Sequence, residues 1–566
     1  MLKDKVLDRF LEDAGFCKLD FGTRDFLEPL KQIYETYYPD RGGEGFFVTH
    51  NSPVHEIASQ VNERIKEIAA PLIAAHFEGY RIFAAHFVVK KARGNEGFQL
   101  HQDWNIVDEK RHRSIQIWIP LSVSYPENGG MGFVPGSHLF FDNIRSGTFD
   151  IPRVEVAPEL YRYMSFLRLF PGEAALFFNQ TFHCSFINSA PEDRVAVLIN
   201  IVPEDAETVY YHSTPDQVEM YKIDTSSLFK NLHLLEKGQK PGDLELVSRM
   251  AYTQDNNTNI NADLLISRLA TLNQQEGRRP DYEYKMYPLL KDDQLEKQIN
   301  HYGYAVIQLL TDAELELLRK QIDHYFPDRN IFKGRYSSMD SLPGEKTLEA
   351  HQSIQRIING RLAQFFNDYY SPISIYYSKR PDGVLDIDWH SDPSFILNEH
   401  LEPMYGLWCT LNDIDSRHGS LKIIPGSHRM IYKLHGTYKT WVSPIEDKRR
   451  ILDEFGIQFT LKAGQAVIYD TRMVHSSTPN YSDIERDCIV MRVNHAHTKH
   501  YFNITVDQVG DPSGEIYKQN KDYFFGNTAK DHVTQPDRGL PQGRYYIYPV
   551  TLSEEEIRTY LASFRE

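Results

Sequence analysis

Two short stretches, "LHQDWN" at residues 100–105 and "WHSDPS" at residues 389–394, each hold a histidine, one spacer and an aspartate. The chain has 23 histidines, and only His101 and His390 have an aspartate two positions on. On a strand, residues i and i+2 project from the same face. His101 with Asp103, and His390 with Asp392, are therefore expected to converge on one point. Two ligands hold a metal poorly, so a third is expected from a neighbouring strand. The aligned candidates are His183 in "FFNQTFHCS" and His475 in "VIYDTRMVHSS". Each follows a Gly-bearing turn and a strand-like run. Two imidazoles and one carboxylate on one face of an octahedral ion leave adjacent positions open, an arrangement that suits non-haem Fe(II) used with dioxygen.

Eleven residues past each distal histidine comes an arginine, Arg194 or Arg486, opening a β-type run. A planar guanidinium inside a barrel can grip a carboxylate with two parallel hydrogen bonds. Ser185 and Ser477, two residues past each distal histidine, lie on the same strand face and can add another bond. Each copy thus offers a metal and, one side chain away, an anchor for a dicarboxylic co-substrate.

These residues recur because the chain is written twice. "MLKDKVLDRFLEDAGF" from Met1 lies over "LLKDDQLEKQINHYGY" from Leu289 without a gap. Downstream, "VPGSH" ending at His138 matches "IPGSH" ending at His428, and "DQVEMYK" at Asp216 matches "DQVGDPSGEIYK" at Asp507. The expected units are 1–288 and 289–566, a large-period duplication rather than a solenoid. Residues 23–37 and 311–325 have helical spacing behind a Thr cap, and 52–73 also reads as helix. After them come short β-branched and aromatic runs with turn punctuation, among them "SIQIWIPLSVS", "RVAVLINIV", "MYGLWCTLND" and "RDCIVMRVNHA". The fold expected is mainly β with flanking helices (α+β), two tandem double-stranded β-helix, jelly-roll or cupin-like domains. Barrel motifs occupy about 83–202 and 372–495. Less regular tails follow at 203–288 and 496–566, with an exposed loop or linker at 253–264.

Composition narrows the class. At 566 residues the chain exceeds a single core. A net charge of −16 argues against sequence-independent nucleic-acid binding, which depends on lysine and arginine meeting phosphate. Four cysteines, Cys17, Cys184, Cys409 and Cys488, show no disulfide or zinc spacing and read as reduced thiols. The charged opening segment has no apolar core, and no run is long enough to span a membrane. A cytoplasmic protein without nucleic-acid or membrane partners is expected.

The order of the motifs is H-x-D, a strand carrying Trp118 or Trp408, "NGGMGFVPGSH" or "HGSLKIIPGSH", a Gly-bearing turn, the distal histidine, and arginine at +11. In that order the chain resembles, twice over, the phytanoyl-CoA dioxygenase family of Fe(II)/2-oxoglutarate oxygenases on a double-stranded β-helix. The resemblance implies one iron site at His101, Asp103 and His183 and a second at His390, Asp392 and His475. It implies Arg194 and Arg486 as anchors for the distal carboxylate of 2-oxoglutarate, with Ser185, Ser477, Trp118 and Trp408 as lesser contacts. No catalytic side chain beyond the metal ligands is implied. The cofactor it implies is Fe(II), with 2-oxoglutarate and O2 as co-substrates. The resemblance further implies hydroxylation of one or two C–H positions of a small-molecule metabolite, with succinate and CO2 as co-products; desaturation, epimerisation and ring closure share that chemistry. Halogenating relatives replace the aspartate, and both units keep it. Two such domains in one chain departs from the usual single copy, and implies a monomer with an internal pseudo-dimer or a homodimer.

Other readings stand beside this one. One barrel can be catalytic and the other structural or regulatory. The chain can be an oxygen-independent cupin-type isomerase, or a non-catalytic binding protein. Residue by residue, Arg194 and Arg486 can pair with Asp193 and Asp487, Arg492 can substitute for Arg486, and the two Trp can be plain core. His138 and His428 read as turn fasteners, Cys184 as inert packing, and Lys90 and Lys379 as solvated lysines at strand ends.

Overall fold

The structure is a computed structural model that describes residues 1–39, 45–51, 55–148, 153–156, 158–214, 216–251, 260–279, 282–430, 444–445, 447–506, 513–519, 524–525, 541–546 and 552–564. The chain divides into two units, Met1–Met286 and Tyr287–Glu566.

Each unit opens on a helix with the same two ends. Asp4 accepts hydrogen bonds from the Val6 and Leu7 amides to start Lys5–Ala14, and Asp292 does so for Asp293–Tyr302. Gly15 and Gly303 end these helices at φ 81° and 83°, a left-handed conformation that a side chain strains. There is also no room for one. A Cβ on Gly15 would lie 2.4 Å from Nδ1 of His138, and one on Gly303 would lie 2.7 Å from Nδ1 of His428. Those two histidines meet the carbonyls of Glu12 and Asn300 through Nε2, so they fasten the Pro-Gly-Ser-His turns to the first helix of each unit.

In the first unit a six-stranded antiparallel sheet runs, in spatial order, Phe16–Asp20, Glu173–Phe178, Ile115–Pro120, Arg194–Pro203, Tyr80–Lys90 and Phe46–Val48. Its second sheet is Phe98–His101, His183–Ser185, Met131–Phe133 and Ser165–Phe166. The second unit repeats both. Its large sheet is Tyr304–Gln308, Gln465–Asp470, Met404–Thr410, Arg486–His495, Tyr369–Lys379 and Arg335–Ser337. Its small sheet is Ile387–His390, His475–Ser477, Leu421–Ile423 and Ile457–Gln458. Each unit is thus a double-stranded β-helix with flanking helices.

Strand alternation separates core from site. In Met404–Thr410, Tyr405, Leu407 and Cys409 pack with Leu318, Ile322, Ile354 and Ile358 of the helical layer. Trp408, from the opposite face, joins Leu421, Ile423, Val467 and Tyr469 between the two sheets. Arg486 and Arg492 share parity with Trp408's neighbours Cys488 and Val490, and so face inward.

Four expectations change in whole or in part. The helix expected over 23–37 is Leu27–Tyr37 and has no side-chain cap, because the chain first turns through a Leu27 amide to Arg24 carbonyl bond of 3.0 Å. Its counterpart, Asp312–Tyr325, does start at Thr311, in a capping box with Glu314. The helix expected over 52–73 is His55–His76. The tails are not irregular. Val209–Ser213, Gln217–Lys222 and Leu246–Ala251 form an antiparallel sheet, as do Tyr501–Val506, Ser513–Lys518 and Gly543–Tyr546. Of the loop expected at 253–264, residues 253–259 lie outside the described residues, and Asn261 caps the helix Ala262–Gln275.

Candidate metal centres

The small sheet brings the histidines together. His101 is the direct cross-strand neighbour of His183, and His390 of His475. Their ring centroids lie 4.3 Å and 4.2 Å apart. The aspartates do not sit on the strands, contrary to the i, i+2 expectation. The strands end at His101 and His390, and Asp103 and Asp392 lie on the chain just beyond. Asp103 is placed there by its own amide, which donates to the Asn179 carbonyl at 2.9 Å. Arg145, 1% exposed, donates from Nε to the Asp103 carbonyl at 2.6 Å and from Nη2 to both Glu109 oxygens at 2.7 Å.

Tautomer and charge suit a cation. Nδ1 of His101, His183, His390 and His475 each donates to the carbonyl two residues back, at 2.8–3.0 Å. That leaves each Nε2 as the free lone pair facing the centre. His101 Nε2 is 3.5 Å and His183 Nε2 3.8 Å from Asp103 Oδ1, and His475 Nε2 is 3.9 Å from Asp392 Oδ1. In each triad the ligand atoms all lie within 4.8 Å of one another. Burial, with the neighbouring histidine, lowers His183 and His475 to about 4, so both are neutral at pH 7. Burial works against the Asp103 carboxylate, but His183, His101 and the Gln116 amide hold it down at about 2. Two imidazoles and a carboxylate at one point fit a divalent ion.

Beside each triad lies a guanidinium. Arg194 is 1% and Arg486 2% exposed. Arg194 stacks on Trp118 at 5.0 Å and Arg486 on Trp408 at 5.1 Å. Neither arginine pairs with the aspartate next to it in sequence. Asp193 takes Lys91 at 2.6 Å, and Asp487 takes Arg329 at 3.5 Å and the Ser378 hydroxyl. Among the described residues Arg194 Nε and Nη2 and Arg486 Nε have no hydrogen-bond partner, although buried. Unmet buried donors of this kind are rare and expensive. A carboxylate would satisfy them, so the residues fit the distal end of 2-oxoglutarate.

Lys90 and Lys379 are cross-strand partners of Arg194 and Arg486. They are not solvated, being 1% and 0% exposed. Lys90 donates to the Glu96 and Ser185 carbonyls at 3.1 and 3.0 Å. Lys379 donates to the Ser477 hydroxyl at 2.8 Å and to the Thr478 carbonyl at 2.7 Å. Burial, with the adjacent arginine, lowers both ammonium groups to about 7. Ser185 and Ser477 are buried on the strands that carry the distal histidines, and Cys184 packs in an apolar cluster with Phe166 and Phe182. Both lysines stand eleven residues before the first ligand of their unit, a recurrence that the solvated reading leaves without a use.

The second centre opens into a cavity of about 410 Å³, whose walls include Arg335, Ile375, Tyr377, Phe395, Tyr469 and Phe524. Phe524 comes from the tail, as does Tyr210, whose ring lies 6.3 Å from Trp104 in the first unit. Val209 donates to the Ile106 carbonyl, joining that tail to the loop behind Asp103. Phe524 of the tail therefore walls the second site, and the first tail packs on the loop that follows Asp103.

A double-stranded β-helix bearing a His-Asp-His triad and a buried arginine defines the architecture of each unit. The sequence profile of the phytanoyl-CoA dioxygenase (PhyH) family matches residues 41–196 and 299–488, and the chain belongs to that family. It is 30% identical over 123 residues to phytanoyl-CoA dioxygenase domain-containing protein 1 of Danio rerio, covering 20% of this chain and 40% of that protein. The Bos taurus protein of that name is 29% identical over 133 residues, covering 22% and 44%. The chain thus spans less than half the length of these curated relatives. Among solved structures it is similar to the α-ketoglutarate-dependent carbocyclase SnoK (19% identity, 44% of this chain and 97% of that one, TM-score 0.29). It is also similar to EvdO2 of Micromonospora carbonacea complexed with 2-oxoglutarate (16% identity, 36% and 91%, TM-score 0.26). Among the described residues no helix is long and apolar enough to cross a membrane.

Proposed function

We propose that each unit is an Fe(II)/2-oxoglutarate-dependent oxygenase domain that hydroxylates a C–H bond of a small-molecule metabolite. The observation that carries this is the pairing, in both units, of a His-Asp-His triad with a buried guanidinium that keeps unmet N–H donors, Nε and Nη2 of Arg194 and Nε of Arg486. Fe(II), when bound, couples the oxidative decarboxylation of 2-oxoglutarate by O2, giving succinate and CO2, to oxidation of the substrate.

The chain's own part is positioning and exclusion. His101, Asp103 and His183, and His390, Asp392 and His475, hold the metal, with Nδ1 of each imidazole tied to backbone so that Nε2 cannot turn away. Arg194 and Arg486 take the distal carboxylate, and their Trp118 and Trp408 shelves fix the guanidinium planes. Lys379 orients the Ser477 hydroxyl beside that carboxylate. Retention of Asp103 and Asp392 supports hydroxylation over halogenation. An oxygen-independent isomerase has no use for two buried arginines with unmet donors.

The test is succinate formation from 2-oxoglutarate with Fe(II), O2 and a metabolite panel, repeated with His101→Ala and His390→Ala. Substrate-stimulated succinate that falls with each variant supports two working domains. Loss with only one variant assigns the chemistry to a single barrel, and no succinate in any arm refutes the proposal.

A further inference from the structure

In both units the oxygen of the aspartate that faces away from the histidines is held, but by different residues on different strands. In the first unit Gln116, on the central strand, donates from Nε2 to Asp103 Oδ2 at 3.1 Å. In the second unit Gly406 occupies that strand position, and Arg492 on the neighbouring strand donates to Asp392 Oδ2 instead. The exchange is a whole cross-strand row. Asn200, Gln116 and Phe177 are in register in one unit, and Arg492, Gly406 and Tyr469 in the other. The three changes need one another. A Cβ on Gly406 would lie 2.3 Å from the Tyr469 ring, so the absent side chain makes space for that ring. The Tyr469 hydroxyl in turn accepts from Arg492 Nη1 at 2.9 Å. In the first unit Phe177 lies closer to the distal histidine, at 4.5 Å between centroids, against 5.5 Å for Tyr469. Asn200 turns its amide to Asn179 at 3.3 Å.

The two holders differ in charge. Gln116 is neutral, whereas Arg492 brings a buried cation against the carboxylate that faces the metal position. We infer that Gln116 and Arg492 are positioning residues with one shared task, and that the exchange makes the two centres unequal: the second holds a divalent cation at least tenfold more weakly than the first. This rests on the metal reading proposed above. Hydrogen-bond partners of metal ligands commonly move affinity 10- to 100-fold. A positive charge a few ångströms from the ion, poorly screened in a buried site, acts against binding.

The test is a Mn(II) titration of the full chain, read by the free-ion EPR signal. Two classes of site separated by a factor of ten or more are expected, the weaker lost in Asp392→Ala and the tighter in Asp103→Ala. Moving the first unit's row into the second, Gly406→Gln with Tyr469→Phe and Arg492→Asn, should tighten the weak class by about that factor. The reverse transplant, Gln116→Gly with Phe177→Tyr and Asn200→Arg, should weaken the tight class. It decides the matter if thermal melting shows that the first transplant does not fold. Two sites of equal affinity, or transplants that leave both classes in place, overturn the inference while leaving the metal reading intact. Absence of Mn(II) binding at both sites overturns both.

Discussion

Replacing Arg194 by Met separates a ligand clamp from a structural ion pair. A buried arginine that serves a structural pair destabilises the fold by about 3–5 kcal/mol when its partnership is broken. Arg194 has no such partnership: Nε and Nη2 are unmet, and Nη1 reaches only the Val88 carbonyl at 3.5 Å. Each unmet donor costs about 1–3 kcal/mol, while the stack on Trp118 contributes about 1–2 kcal/mol in the opposite sense. The sum makes Arg194→Met neutral to about 5 kcal/mol stabilising in the ligand-free protein. At about 2–4 °C per kcal/mol for units of this size, the melting temperature should hold or rise. With 2-oxoglutarate present the order reverses. At about 100 times its dissociation constant, a ligand stabilises the wild-type site by about 2.7 kcal/mol, and the variant should lose that gain. Calorimetric melting of Mn(II)-loaded protein with and without 2-oxoglutarate measures both. A variant destabilised by 3 kcal/mol or more without ligand, or one still stabilised by 2-oxoglutarate at that site, refutes the clamp.

Three further outcomes follow from the same geometry. Gly406→Ala places a Cβ 2.3 Å from the Tyr469 ring, and overpacking of this kind costs about 1–3 kcal/mol, readable as a lower melting temperature of the second unit. Burial holds His50, His138, His183, His351, His475 and His500 down to about 4, and His86 well below its ordinary value. The unfolded chain takes up those protons near pH 6.5 and the folded one does not, so stability present above that pH is lost as pH falls from about 6.5 to 4. Denaturant melts across that window should show it, and His138→Asn should flatten the slope. Arg145→Met strips the Asp103 carbonyl and Glu109 of their buried partner. It should cost about 3–5 kcal/mol and weaken Mn(II) binding at the first centre alone, and unchanged affinity there would contradict its role.

Periodicity and repetition carried much of this into view from the sequence. His101 and His183, with their counterparts, were legible because ligands must converge and antiparallel neighbours do so. The arginines were legible because a charge entering an inward strand face needs a use. Asp103 and Asp392 do not owe their place to alternation: they lie past the strand ends, Asp103 set by its amide bond to the Asn179 carbonyl and Asp392 met by Arg492. Lys90 and Lys379 were misread because a lysine at a strand end is ordinarily solvated, and only the sheets show carbonyls converging on the ammonium. Aligning the two copies sets Gln116 against Gly406, but the alignment alone does not say what the exchange does. That requires knowing which residues stand beside them across three strands.

The central claim is two matched centres, and anomalous diffraction from crystals grown with Mn(II) and 2-oxoglutarate tests it most directly. Two peaks per chain are predicted, one among His101, Asp103 and His183 and one among His390, Asp392 and His475, each with the oxo acid's distal carboxylate on Arg194 or Arg486. Peaks elsewhere, or 2-oxoglutarate bound away from both arginines, would contradict it.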